Sequence, residues 1–339
     1  MNVNGSLPYN SSGKCPRDTR MTQVIFPLLY TLLFFASIIL NTLTGWIFFR
    51  MSSRTPFIIF LKNIVLADLT MTLTLPFKIL TDSGLASWQL KAFVCRVSAV
   101  IFYNTMYISI VFLGLVSLDR YVKIVKPFGK SMMQSTAFAK ALSAAVWVIL
   151  FLVSFPNMIL SNKEATPTSV KKCAWLKSPL GLQWHLAVSY ICQTIFWAVF
   201  LSMFIFYLSM AKKVYESYAK SKSKDKRAKK EAQLRMFIIV TVFFICFAPY
   251  HFCRLPYTHS QTGQVSDCKL QNQLYIAKES TLWLSATNIC LDPLIYVFVC
   301  KLFRNMLIRA LKLKPAHARY EASVNTSTEM TPNITDTSL

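Results

Sequence analysis

Seven long apolar segments divide the chain, and a short polar or basic stretch separates each segment from the next. They lie near residues 24–49, 57–80, 97–118, 139–160, 186–210, 236–258 and 279–300. As an α-helix, each segment is long enough to cross a hydrocarbon layer about 30 Å thick. Because the segments are continuous apolar runs and not ten-residue alternations, a membrane β-barrel is excluded. The pattern predicts an all-α membrane protein with a seven-transmembrane-helix bundle.

The distribution of charge indicates which side of the membrane each loop occupies. The chain of 339 residues is 54% hydrophobic and only 15% charged, yet its formal net charge is +23. With the N-terminus outside, the inner segments carry more than twice as many Lys and Arg residues as the outer ones, as the positive-inside rule requires. Asn4 and Asn10 begin Asn-X-Ser sequons in the N-terminal segment, so both are predicted N-glycosylation sites. We therefore predict an extracellular N-terminus.

Four of the nine cysteines lie on the predicted outer side, where oxidation lets disulfides persist. These four allow three pairings. In one of them Cys95 joins Cys173, which would fold the loop between the fourth and fifth helices over the bundle. Cys15 would then pair with Cys268 and tie the N-terminus to the last outer loop.

Polar side chains in the middle of three spans form one group of candidate ligands. Asp68 lies in the second segment and Ser109 in the third. Asn288 and Asp292 lie four apart in the seventh segment, on one helix face. Ionisable groups at membrane depth cost about 2.5–3.5 kcal/mol on insertion scales and mark functional sites. Their oxygens suit a small hard cation or a shared proton, so an allosteric sodium ion is one expectation and no other cofactor is expected. A water network that joins the helices is the alternative.

A second group lies in the outer half of the sixth segment, where the stretch "FICFAPYHFCRLPYTHSQ" places His251 and Arg254 in an apolar run. Arg254 follows Met236 by 18 residues, so the helical rise puts it about 27 Å from the inner end. His251, Arg254 and Tyr257 follow one another at spacings of three, so one face collects cations and phenols. Such a face suits an anion with an aromatic part.

Cations and aromatic residues of other helices are expected at the same depth. Lys278 opens the seventh segment, and Tyr103 and Tyr107 lie one turn apart on the third. Guanidinium groups bind phosphate oxygens bidentately and aromatic rings stack on bases, so a nucleotide would satisfy both kinds of group. Four outer cations have no matching carboxylate, with Glu279 as the clearest nearby anion: Lys172, His185, Arg254 and Lys278. The alternative is that Arg254 and Lys278 extend to the membrane interface and bind nothing.

The inner side of the bundle carries a charged helix end, an amphipathic segment and a long tail rich in Ser and Thr. The third segment ends in Asp119, Arg120 and Tyr121. After the seventh segment, apolar residues recur at helical spacing on one face, which predicts a short amphipathic eighth helix on the inner leaflet. The final stretch lacks apolar periodicity and is rich in Ser and Thr, which predicts a disordered, phosphorylated tail. The predicted organisation is an extracellular N-terminus over 1–23, a transmembrane domain over 24–300, an amphipathic cytoplasmic helix over 301–314 and a cytoplasmic tail over 315–339.

Several motifs in consecutive spans together resemble the rhodopsin class of G-protein-coupled receptors. They are the Asp119-Arg120-Tyr121 triplet, Asp68 in "LAD", Trp147 in the fourth segment, "FFICFAPY", "DPLIY", and the pair Cys95 and Cys173. The resemblance covers all seven spans in order. Longer stretches, among them "FIIFLKNIVLADL", "MYISIVFLGL" and "SNKEATPTSVKKC", are similar to the nucleotide-receptor branch of that class, and most of all to the ADP receptors that couple to inhibitory G proteins.

This resemblance implies a plasma-membrane receptor for extracellular ADP that signals through inhibitory G proteins and lowers adenylyl cyclase activity. It implies four further partners: the G protein at Asp119, Arg120 and Tyr121, receptor kinases and arrestin at the tail, and the lipid bilayer. Nucleic acid is not among the implied partners. The resemblance also implies that nine residues line the nucleotide pocket: Tyr103, Tyr107, Asn157, Lys172, His185, His251, Arg254, Tyr257 and Lys278.

The chain departs from the common pattern of the class at four places. The seventh segment reads "DPLIY" where NPxxY is usual, Phe247 stands where many receptors have Trp, and Val199 where many have a helix-kinking Pro. Ser189 replaces an Asn of related receptors, which alters one expected ligand contact. A receptor for a UDP-sugar or another acidic ligand, lipid included, is therefore the alternative within the class.

Other classes of function fit the residues less well. An enzyme is not expected, because the chain has no Walker-type loop, no HExxH or GxSxG motif and no zinc-spaced Cys and His set. An ion or solute transporter is the main alternative, since Asp68 and Asp292 would relay ions, but no inverted repeat is evident. A retinal pigment needs a lysine deep in the seventh helix, where this chain has Ala286.

Overall fold

The computed structural model describes residues 21–125, 132–220, 223–261, 265 and 267–311. The sequons at Asn4 and Asn10, residue Cys15 and the tail from residue 312 lie outside the described residues, so the predictions made for them are not tested. The chain divides into two compact units, residues 1–295 and 296–339.

Eight helices account for almost all of the described residues. They are α1 (Met21–Arg50), α2 (Pro56–Asp82), α3 (Trp88–Val125), α4 (Thr136–Ile159), α5 (Pro179–Lys220), α6 (Ser223–Gln261), α7 (Cys268–Val299) and α8 (Lys301–Ala310). The first seven are each long and apolar enough to cross a membrane. This confirms the predicted seven-helix bundle.

The helices extend further than the apolar segments that predicted them. Helix α6 begins at Ser223, thirteen residues before the apolar run, and α7 begins at Cys268. Hydropathy marks only the part of a helix that suits lipid, whereas caps and helix propensity set its true ends. Ser87 caps α3 by accepting a hydrogen bond from the backbone N–H of Leu90 at 3.3 Å, and Asp267 caps α7 through Lys269 N at 3.0 Å.

Helix α7 is interrupted at Thr287, next to the mid-bundle polar residues. Six residues later Pro293 has no backbone N–H, so the carbonyl of Ile289 loses its intrahelical partner. Asn41 of α1 replaces that partner, because its Nδ2 donates to the Ile289 oxygen at 2.8 Å. The broken backbone is thus satisfied by a neighbouring helix, as buried polar groups in a membrane require.

Close contacts fix the order of the helices around the bundle. Helix α3 packs against α2, α4 and α5, and α6 packs against α5 and α7. Trp147 of α4 donates its indole N–H to Asn63 of α2 at 2.9 Å. Gly114 of α3 faces Val199 of α5 so closely that an added Cβ would lie 2.8 Å from the Val199 Cγ1. The small residue lets these two helices approach, as is usual at membrane helix interfaces.

The second unit contains the short predicted cytoplasmic helix. Cys300 precedes α8, and its sulfur accepts the backbone N–H of Phe303 at 3.4 Å. Within the same unit the ring of Tyr296 meets that of Phe303 edge to face, with centroids 6.0 Å apart. Helix α8 ends at Ala310. The last residues of the predicted span, 312–314, lie outside the described residues.

Candidate functional site

One cavity of about 280 Å³ opens between α2, α3, α4, α5, α6 and α7. The loop that joins α4 to α5 contributes to its wall, because Cys173 of this loop is disulfide-bonded to Cys95 of α3. The Cα atoms of the two cysteines are 5.2 Å apart. The structure therefore confirms the Cys95–Cys173 pairing. The Cys15–Cys268 pairing stays a prediction.

Arg254 of α6 supplies an unmatched positive charge to the cavity. The side chain is only 9% exposed. Its guanidinium lies 5.2 Å from the centre of the Tyr103 ring, which itself stacks on Tyr250 with centroids 6.4 Å apart. Within the described part of the chain, Arg254 makes no ion pair and its guanidinium makes no hydrogen bond. A buried charge without a counterion is costly, so this wall of the cavity favours an anionic ligand.

Lys278 of α7 was expected to be unpaired, and this prediction is wrong. Its ammonium group pairs with Glu279, which also accepts a hydrogen bond from Lys78 of α2 at 3.1 Å. Lys78 in turn pairs with Asp82 at 2.9 Å. We call Lys78, Asp82, Lys278 and Glu279 the acid–base cluster. Because its two cations balance its two carboxylates, the net positive charge of the cavity lies on the Arg254 side.

Lys177, in the loop before α5, is a cavity residue that the sequence interpretation missed. Its Nζ donates to Asn157 Oδ1 at 3.2 Å and lies 3.4 Å from Ser161 Oγ. Burial, and to a lesser extent the charge of Arg254, lowers the pKa of Lys177 to about 8. The sequence did indicate a position near the cavity for Lys177, because the predicted Cys95–Cys173 disulfide would bring the residues around Cys173 over the bundle.

For the expected nucleotide ligand, the lowered pKa of Lys177 predicts that agonist binding weakens as the pH rises through about 8. The ammonium attracts phosphate below pH 8 and is lost as the pH rises through that value, whereas a terminal phosphate is already ionised above about pH 7. Between pH 7.5 and 9 the agonist midpoint should rise up to about tenfold. Lys177→Arg, which stays charged, should remove most of this dependence. The measurement is a nucleotide-exchange titration at each pH, and an equal pH dependence in both proteins would contradict the role of Lys177.

Eight of the nine residues implied for the ligand pocket line this cavity. They are Tyr103, Tyr107, Asn157, Lys172, His185, Arg254, Tyr257 and Lys278. His251 is fully buried and does not reach the wall, since its ring lies against Phe196 of α5. Asn104 and Ser154 were missed: both line the cavity, and the Ser154 hydroxyl donates to Asn104 Oδ1 at 3.0 Å. The sequence did indicate them in one respect, because each is a polar residue within a predominantly apolar span.

The mid-bundle polar residues form two hydrogen-bonded pairs, and the charges of Asp68 and Asp292 interact. Ser109 donates to Asp68 Oδ1 at 3.4 Å, and Asn288 donates to Asp292 Oδ2 at 2.7 Å. Among the described residues, no donor reaches Asp68 Oδ2, Asn288 Oδ1 or Asp292 Oδ1, although all three atoms are buried. A cluster of unsatisfied buried oxygens with two carboxylates fits a small hard cation such as sodium.

Ion pairs and ring contacts hold the charged end of α3 in place. Asp119 pairs with Arg120 at 3.3 Å and with Lys123 at 2.9 Å. The Arg120 guanidinium also lies 3.6 Å from the centre of the Phe57 ring of α2. Tyr121 stacks on Phe206 of α5, with ring centroids 4.8 Å apart. Arg120 is thus restrained by Asp119 of its own helix and by Phe57 of α2.

Comparison with known proteins assigns this arrangement to a class. Residues 23–296 match the family described as "7 transmembrane receptor (rhodopsin family)". Purinoceptor 13 of Homo sapiens is 59% identical over 307 residues, which cover 91% of this chain and 87% of that protein. Purinoceptor 14 of Bos taurus is 50% identical over 317 residues, 93% of this chain and 94% of that protein. G-protein coupled receptor 87 of Mus musculus is 46% identical over 295 residues, 87% of this chain and 82% of that protein.

The chain belongs to the rhodopsin family of seven-transmembrane, G-protein-coupled receptors, and within it to the purinoceptor branch. This confirms the resemblance seen in the sequence. The protein is a receptor and not an enzyme, since its family is non-enzymatic. Its seven spanning helices and its family identify it as a multi-pass plasma-membrane protein.

Proposed function

We propose that the protein is a cell-surface receptor for extracellular ADP, which signals through inhibitory G proteins to lower adenylyl cyclase activity. The observation that carries this proposal is the unpaired guanidinium of Arg254 beside the stacked rings of Tyr103 and Tyr250. The guanidinium suits phosphate oxygens, and the rings suit a purine. Lys177 adds a second donor to the same half of the cavity. The 59% identity to human purinoceptor 13 supports a ligand of this kind.

A UDP-sugar is the second candidate ligand, and the acid–base cluster favours it. The carboxylates of Asp82 and Glu279 line the cavity and would accept hydrogen bonds from sugar hydroxyls. ADP has fewer hydroxyls to offer these groups. The 50% identity to bovine purinoceptor 14 supports this alternative, whose ligand would share the phosphate site at Arg254.

The deciding experiment is nucleotide exchange on an inhibitory G protein in membranes that contain the receptor. ADP, UDP-glucose and a panel of acidic lipids are titrated separately. We expect a saturable response to ADP, with a lower midpoint concentration than for UDP-glucose or any of the lipids. Response to UDP-glucose alone would favour the second candidate, and silence to both nucleotides with normal surface expression would reject the nucleotide proposal.

Three further roles are part of the proposal. The N-terminus is extracellular, and the tail recruits receptor kinases and arrestin. Asp68, Ser109, Asn288 and Asp292 would hold an allosteric sodium ion, supported by their unsatisfied oxygens. Through its positive charge, sodium would stabilise the state of the receptor that has no agonist bound. Repeating the ADP titration in sodium chloride and in N-methylglucamine chloride tests this role, because sodium should raise the midpoint for the intact receptor and not for Asp292→Asn.

A further inference from the structure

Lys177 and Arg254 place two positive charges on one side of the cavity. Lys177 is 6% exposed, and its Nζ bonds to two neutral oxygens, Asn157 Oδ1 at 3.2 Å and Ser161 Oγ at 3.4 Å. Among the residues that the structure describes, neither cation has a carboxylate at ion-pair distance. Because buried charges of the same sign destabilise each other, this side of the cavity favours an added negative charge.

The amine of Lys177 differs from those of Lys78 and Lys278, which also line the cavity. Those two lysines belong to the acid–base cluster, whose carboxylates hold their protons. Burial, and to a lesser extent the charge of Arg254, lowers the pKa of Lys177 to about 8. At about pH 7.4, roughly one fifth of this amine is therefore unprotonated, against about one thousandth of an ordinary lysine amine. Lys177 thus carries a nucleophilic nitrogen.

We propose that Lys177 binds carbon dioxide reversibly as a carbamate, and that Arg254 is the counterion of this carbamate. The lone pair of the neutral amine forms an N–C bond to the carbon of CO2. One C=O π pair moves onto oxygen, and the surplus amine proton leaves to water. The reaction needs no oxidant, reductant or leaving group. It changes this side of the cavity from two positive charges to one charge of each sign.

The surroundings of Lys177 suit the carbamate. The planar guanidinium of Arg254 matches two carboxylate-type oxygens bidentately. The amide of Asn157, whose oxygen now accepts from the ammonium, can turn its NH2 group toward an anion. The carbamate N–H keeps a hydrogen bond to Ser161 Oγ, which the ammonium now bonds. Carbon dioxide is far smaller than the cavity of about 280 Å³ that Lys177 lines, so it can reach the amine.

The carbamate would regulate the nucleotide site, and this consequence alone rests on the proposed function. It replaces a cation that attracts phosphate by an anion that repels it, and it occupies the Arg254 guanidinium. Raising dissolved CO2 at constant pH should therefore raise the ADP midpoint for nucleotide exchange up to about tenfold. Lys177→Arg has no reactive amine, so its midpoint should not change with CO2.

The first test is chemical and needs no nucleotide. Purified receptor is held at constant pH and ionic strength, with or without an isotope-labelled bicarbonate and CO2 buffer. The carbon NMR signal of a carbamate is recorded, and triethyloxonium then converts carbamates to stable ethyl esters for peptide mass spectrometry. We expect labelled ester at Lys177 only with CO2. Lys163 of the same loop is exposed and is the internal control. Absence of both signal and ester at Lys177, or equal labelling at Lys163, overturns the proposal.

Two variants test the counterion. Arg254→Ala keeps the amine but loses its charged partner, so at subsaturating CO2 the ester at Lys177 should fall about tenfold. Lys163→Arg should leave that ester at the wild-type level. Equal yields in the wild type and Arg254→Ala would contradict the role of Arg254 as counterion.

The chemical and functional measurements separate the two proposals. If the ester forms at Lys177 but ADP activates neither the wild type nor Lys163→Arg, the ligand proposal fails and the carbon dioxide site stands. If ADP activates the receptor and no ester forms, the carbon dioxide site is rejected and the ligand proposal stands. An ADP midpoint that responds equally to CO2 in the wild type and Lys177→Arg would contradict regulation through this lysine.

Discussion

Replacing Arg254 by alanine is expected to raise the ADP midpoint for nucleotide exchange at least about 30-fold, with surface expression maintained. Removing one partner of a buried charge pair typically costs about 2–5 kcal/mol in binding, and each 1.4 kcal/mol is a factor of ten. The guanidinium lies inside the cavity and has no counterion among the described residues, so no internal carboxylate is left unpaired by the change. The loss should therefore report on the ligand alone.

Two matched variants identify the cause of that loss. Arg254→Lys keeps the charge but not the planar fork of donors, so it should recover only part of the affinity. Arg96→Ala removes one positive charge outside the cavity, where the Arg96 guanidinium bonds the carbonyl of Lys163 at 2.7 Å. If the effect of Arg254 were general attraction of nucleotides by surface charge, Arg96→Ala would match it, and high salt would abolish both effects. A midpoint within about threefold of wild type in Arg254→Ala would contradict the phosphate site.

The helices and their depth could be predicted because lipid imposes one simple rule. A span must be predominantly apolar over about 20 residues, so hydropathy alone located all seven helices, and the rise per residue placed Arg254 near the level of Tyr103. The parts of the helices that lie outside the lipid need not be apolar, so hydropathy does not locate their ends. The start of α3 depends on the Ser87 cap, and the helical extension of α6 before Met236 is basic, so neither produces an apolar signal.

The partners of the site residues could not be predicted in the same way. Glu279 was visible as an anion beside Lys278, but Lys78 is 201 residues before Glu279 in the chain. Only the approach of α2 to the outer half of α7 completes the acid–base cluster. His251 and Arg254 are three apart, which leaves their directions about 60° apart around a helix axis. Spacing therefore put both on one face, whereas the actual rotation of α6 points Arg254 into the cavity and His251 into the core.

Gly114→Ala is expected to destabilise the receptor by about 1–3 kcal/mol, because overpacking a close-packed interface forces side chains or backbone to move. The added methyl would lie 2.8 Å from the Val199 Cγ1, and a β-branched side chain has few rotamers with which to yield. The midpoint of thermal inactivation of the purified receptor should fall by several degrees. The double variant Gly114→Ala with Val199→Ala should recover most of this loss.

Gly45→Ala in α1 is the control for this prediction, since an added Cβ there meets Leu69 only at 3.5 Å, an ordinary contact. Alanine also favours a helix over glycine, so Gly45→Ala should leave the thermal midpoint equal to or above that of the wild type. Equal behaviour of the two glycine variants would show that α3 and α5 are not in close contact at Gly114. A deficit confined to Gly114→Ala, and removed by Val199→Ala, would explain why this chain has a valine where many receptors have a kinking proline. With Gly114 opposite it, the valine fills the space at this crossing through its side chain, and α5 needs no break there.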